Sequence, residues 1–84
     1  MKLHDAHRIV SEATGLTVLH GEKCVEILVD GDHPQDIVPT AEKLRAAGIH
    51  FIKVPHGKAF RGQLFRVPLV NVGTAWNANW EFAQ

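Results

Sequence analysis

KCVEILVD, residues 23–30, alternates without a break: Val25, Ile27 and Val29 face one way, and Cys24, Glu26, Leu28 and Asp30 the other. A period of two with β-branched residues on one side marks a strand that lies on a core and keeps a more polar outer face. TVLH at 17–20 leads into it through a turn at Gly21-Glu22, so the two segments predict a hairpin. Beyond it, GDHPQD at 31–36 is a loop whose last residue, Asp36, can cap a helix over 37–47. Ile37, Ala41 and Leu44 give that helix its apolar stripe. Pro39 falls in its first turn, where a missing N–H costs nothing, and Gly48 ends it. IHFIKVP at 49–55 has apolar residues on both faces and predicts a central strand. The strand–helix–strand unit favours a parallel, right-handed crossover between 24–30 and 49–54.

The flanks complete the pattern. Residues 5–14 read as a helix with Asp5 as N-cap, an apolar stripe of Ala6, Ile9, Val10 and Ala13, and Gly15 just past its end. QLFRVPLVNV at 63–72 places Phe65, Val67 and Leu69 on one face, and Pro68, which cannot donate to a ladder, marks an edge or a bulge. In AWNANWEFA at 75–83, Trp76, Ala78, Trp80 and Phe82 alternate with Asn77, Asn79 and Glu81, which predicts a fifth strand after a turn at 71–74. The order α-β-β-α-β-β-β predicts an α+β, two-layer sandwich with a mixed sheet and both helices on one face.

Eighty-four residues make a single domain, 1–84, with a modest core, so a second copy of the chain is a candidate partner. The composition, 45% apolar and 21% charged, is that of a globular chain. One cysteine, Cys24, rules out an intramolecular disulfide and fits a reducing compartment. The start, MKLHDAHRIVSEATG, lacks the apolar run of a signal peptide, and no stretch approaches the roughly 18 apolar residues of a membrane span. The expectation is a cytoplasmic protein that does not enter the membrane.

The formal net charge of zero conceals a segregation: residues 1–42 carry a balance of −5, residues 43–66 carry six bases and no acid, and the remainder adds Glu81. Helix-dipole compensation accounts for Lys43 and Arg45. The others centre on HGKAFRG at 56–62, where a phenylalanine lies between a lysine and an arginine in a glycine-bounded loop. If the flanking strands pair, Lys58, Phe60 and Arg61 sit at a hairpin tip, and Lys53 and Arg66 extend the positive surface further down. Lysine and arginine contact phosphates, and an exposed ring is a stacking platform worth about 1–3 kcal/mol per base. The set Lys53, Lys58, Phe60, Arg61 and Arg66 therefore predicts a non-enzymatic module that binds nucleic acid. The loop matches neither GxxxxGK[ST] nor GxGxxG.

Other constellations compete. The acidic half, an edge strand or the tryptophan strand could instead engage a protein partner or a second copy, since aromatic residues dominate interface hot spots. His50 and His56 beside Lys58, Arg61 and Arg66 hold the ingredients of a metal-independent ribonuclease, but an extended chain keeps the two imidazoles about 20 Å apart. His4 and His7 are spaced i, i+3, and two ligands without a matching cluster do not make a metal site. Cys24 beside Glu26 reads as structural rather than nucleophilic. No cofactor or metal is expected.

Overall fold

The computed structural model describes residues 1–30, 34–54 and 62–84. Its elements are α1 (Leu3–Thr14), β1 (Leu19–Gly21), β2 (Cys24–Asp30), a short 3₁₀ turn (Pro34–Asp36), α2 (Ile37–Ala46), β3 (Ile52–Val54), β4 (Gly62–Asn71) and β5 (Trp80–Phe82). The order is α-β-β-α-β-β-β, and the architecture is an α+β sandwich. No helix among the described residues is long and apolar enough to cross a membrane.

α1 has Lys2 at its N-cap position, three residues earlier than the N-cap reading of Asp5 predicts. Asp5 acts from inside the first turn, its carboxylate accepting the Lys2 N–H at 3.2 Å. That contact also suits the positive end of the helix. Gly15, at φ 72°, closes the helix by donating its N–H to the Ser11 carbonyl. Ala6, His7, Val10 and Thr14 form the buried stripe, and Thr14 Oγ1 satisfies itself on the Val10 carbonyl at 2.9 Å. α2 buries Thr40, Ala41 and Leu44. Asp36 stands at its N-cap position without a side-chain bond to the helix, so the cap expected there is not made. Gly48, also at φ 72°, turns the chain back, and the Ile49 N–H reaches the Leu44 carbonyl at 2.9 Å.

The sheet departs from the expected mixed arrangement. Its strands run in the order β1-β2-β4-β3, β5 pairs with β4, and every ladder is antiparallel. β2 and β3 point the same way, as a crossover through α2 requires, but β4 lies between them. The edge and centre are thus the reverse of the sequence reading. β3 spans three residues, and Ile52 and Lys53 are exposed. β4 spans ten and buries Phe65, Val67 and Leu69. Pro68 fits this central strand because of where its nitrogen faces. Leu69 donates to the Lys23 carbonyl on the β2 side, while the Pro68 carbonyl accepts from Ala83 on the other side. The proline nitrogen therefore faces the gap where the β3 ladder has ended at Arg66 and β5 begins.

The alternating residues of β2 and β4 split the sheet into two faces. Val25, Ile27, Val29, Phe65, Val67 and Leu69 join Ala6, Val10, Ala41, Leu44 and Ile49 in one core between sheet and helices. The opposite face carries Glu26 and Arg66. The predicted fifth strand is confined to Trp80–Phe82. Residues 71–79 instead form a loop pinned by its own side chains. Asn71 Oδ1 accepts from the Gly73 and Asn79 N–H groups, each at 3.0 Å, and Thr74 Oγ1 accepts from the Asn77 N–H at 2.9 Å. Such local bonds compete with a ladder and win here. A Cβ on Gly73 would strike the backbone of Asn77 and Asn79, so the loop requires glycine. Trp80 packs on the edge of the core, whereas Trp76 is 100% exposed.

Candidate anion-binding site

Two adjacent strands, β3 and β4, flank residues 55–61 and pair with each other, so the condition for a hairpin is met. Lys58, Phe60 and Arg61 lie outside the described residues, and so does His56. Among the described residues, Lys53 and Arg66 separate rather than combine. Cross-strand partners share a face. Lys53 pairs with the buried Phe65 and so belongs to the helix side, whereas Arg66 pairs with Ile52 and Glu26 on the opposite side. Arg66 Nη2 donates to Glu26 Oε2 at 3.3 Å, so its charge is already partnered within the fold.

A different set of cations gathers around Lys53. Gly48 reverses the chain at the end of α2, and buried Ile49 fixes the return. That sharp reversal brings Arg45, on the last turn of α2, against residues 50–53. Arg45, Ile49, His50, Phe51 and Lys53 line a concavity of about 310 Å³. The Arg45 guanidinium lies 5.3 Å from the centre of the Phe51 ring, a contact that holds a cation over an aromatic face. Phe51 is braced in turn by Phe65, with ring centres 5.5 Å apart at 66°. The wall of this site is therefore built on the core, and its rim carries two permanent cations and an imidazole. None of the lining residues is acidic, and among the described residues no carboxylate pairs with Arg45, His50 or Lys53.

Such an arrangement can bind a phosphate or carboxylate through Arg45 and Lys53, with the edge of Phe51 available to an apolar or planar group. It holds one imidazole, and acid–base cleavage of RNA needs a second. Arg45 and His50 were not grouped with Lys53 by spacing alone. The signal was present in Gly48, whose tight reversal sets the residues before and after it side by side.

His7 is buried, with neither ring nitrogen hydrogen-bonded to a described residue, and its ring meets that of His20 edge-on at 3.8 Å. Burial, and then the neighbouring His20 and His4, hold its pKa below the ordinary histidine value. His4 points to solvent and contacts Asp5. No group of three or more His, Cys, Asp or Glu among the described residues is placed to hold a metal ion. Cys24 is buried, and burial followed by Glu26 pushes its thiol pKa up, with Arg66 acting the other way. A protonated, buried thiol is a poor nucleophile. Comparison with protein-family models, with curated proteins and with solved structures found no match for this chain.

Proposed function

We propose that this chain is a small, non-enzymatic module that binds nucleic acid through its phosphate backbone. Arg45, His50 and Lys53 form the anchoring site. Lys58, Phe60 and Arg61 extend it, since they follow Lys53 within eight residues on the same stretch of chain. The observation that carries this reading is the concavity of about 310 Å³ that brings Arg45, His50 and Lys53 together with no acid in its lining. Arg66 leaves the binding set because Glu26 engages it.

The test is a salt titration of binding to short labelled single- and double-stranded DNA and RNA. Three proteins are compared: wild type, Arg45→Ala/Lys53→Ala, and Lys58→Ala/Phe60→Ala/Arg61→Ala. Affinity should fall steeply with salt for wild type. Loss of two phosphate contacts should flatten the log–log slope by about 1.4 on single strands. Absence of binding at low salt, or wild-type affinity in both variants, would overturn the reading. Intact labelled RNA across pH 5–8 is expected in the same mixtures.

One observation favours a second reading, a protein-interaction module. Trp76 is 100% exposed on a loop held by Asn71 and Thr74, and a rigid exposed indole is the side chain most enriched in interface hot spots. A partner bound this way would be lost on Trp76→Ala and would show little dependence on salt.

A further inference from the structure

The register of the sheet lines up one row of side chains on the face away from the helices. Leu19 pairs with Glu26, Glu26 with Arg66, and Arg66 with Ile52, so the row reads apolar, acid, base, apolar across β1, β2, β4 and β3. The rows on either side are apolar: Leu28, Leu64 and Val54 toward one end, and Gly21, Cys24 and Pro68 toward the other. Leu19 and Ile52, on the two outer strands of this path, are 47% and 43% exposed and carry the apolar ends of the row to solvent. Both helices pack on the other side, with the core residues of β2 and β4. The Arg66 guanidinium donates to Glu26 through Nη2 and also engages the Cys24 thiol on the same face.

From this pattern we infer that the open sheet face is the docking surface for a second copy of the same chain. The row is complementary to itself. A two-fold axis running along the strands, midway between β2 and β4, sets Glu26 of each copy over Arg66 of the other. It also sets Leu19 over Ile52, and the flanking apolar rows over their own kind. Two sheets packed face to face with aligned strands are a common arrangement, and the isologous contact of a two-fold dimer demands this kind of self-complementarity. Seven residues each of β2 and β4 and three each of β1 and β3, at about 3.3 Å per residue and 4.8 Å per strand, give a footprint of roughly 320 Å². That is below the ~800 Å² per partner of a standard interface, so a weak, concentration-dependent dimer is expected.

The decisive experiment uses the full chain in sedimentation equilibrium from about 10 μM to 1 mM, with circular dichroism to confirm folding. Wild type is expected to shift from monomer to dimer over that range. Glu26→Arg and Arg66→Glu each place like charges over one another and should be monomeric. An equimolar mixture of the two variants should dimerise, since each supplies what the other lacks. Ile52→Lys, at an exposed edge position, provides a monomeric variant that does not touch the ion pair. A wild type that stays monomeric at 1 mM overturns the inference, as does a dimer that survives all three substitutions. A monomeric wild type that dimerises on Phe60→Ala also overturns it, because the chain's own segment 55–61 would then be the native occupant of this face.

Discussion

Phe65 is the residue on which core and candidate site both depend, and replacing it tests both. Its side chain is fully buried in the centre of β4, opposite Ile27 on one side and Lys53 on the other, and its ring braces Phe51. Phe65→Ala should cost about 3–5 kcal/mol, from lost burial and the cavity left behind. The edge-to-face contact with Phe51 should contribute about 0.5–1.5 kcal/mol of that. For 84 residues, total stability is about 4–13 kcal/mol, so Phe65→Ala removes a large share and can unfold the chain. Phe65→Leu is the milder probe, at roughly 1–2 kcal/mol. Urea unfolding followed by tryptophan fluorescence suits the measurement. Trp80 is half-buried and reports folding, whereas fully exposed Trp76 contributes a constant background. With a slope near 1 kcal/mol per M, Phe65→Leu should lower the midpoint by about 1–2 M. A double-mutant cycle with Phe51→Leu should return a coupling close to the pair value above. A midpoint shift under about 0.5 M for Phe65→Leu, or a coupling indistinguishable from zero, would refute the argument that the site wall is built on this ring.

Three further outcomes are expected. His7 has a folded-state pKa below its unfolded value of about 6.5, so the unfolded chain takes up the proton first. Its contribution is complete above that value and is lost as pH falls through it. Urea midpoints at pH 8, 6.5 and 5.5 should therefore drop more steeply for wild type than for His7→Leu, and parallel curves would contradict this. Asn71→Ala removes the acceptor shared by the Gly73 and Asn79 N–H groups, so those two amides should exchange with solvent at least tenfold faster at a cost of about 1 kcal/mol, while amides of β2 keep their protection. Cys24 should react with a thiol reagent at pH 7.5 at least a hundredfold more slowly folded than in urea, and a rate matching the unfolded chain would show that the thiol is not buried.

The legible parts of the fold are those whose period is long and unbroken. The alternation of 23–30 is strong enough to place every residue of β2 on its correct face. Glycines after each apolar stripe mark where α1 and α2 stop, because only glycine takes the left-handed turn cheaply, and Gly15 and Gly48 both adopt it. The start of α1 was harder to read. Asp5 can serve as N-cap or as a carboxylate in the first turn reaching back to the cap, and both uses look the same in sequence. The strict alternation of 76–82 misled for a similar reason. The Asn71 and Thr74 side chains bond to nearby backbone, and a loop that satisfies itself leaves nothing for a ladder to gain.

Strand order and the candidate site share one cause of illegibility, which is that sheet faces are assigned across strands rather than along them. IHFIKVP is apolar on both faces, which reads as a central strand, yet much of that apolar surface serves the turn and the site rather than a second ladder: Ile49 is buried under α2, and Phe51 supports Arg45. Conversely, Pro68 reads as an edge marker until the direction of its nitrogen is known, and that direction depends on where β3 ends. Lys53 and Arg66 look like neighbours on a hairpin, but thirteen residues of sequence separate them and the register sets them on opposite faces. A one-residue shift of that register would have put both cations together and exposed Phe65. The burial of Phe65 therefore decides the electrostatics: holding that ring in the core sends Arg66 to Glu26 on the open face and leaves Lys53 to Arg45 and His50.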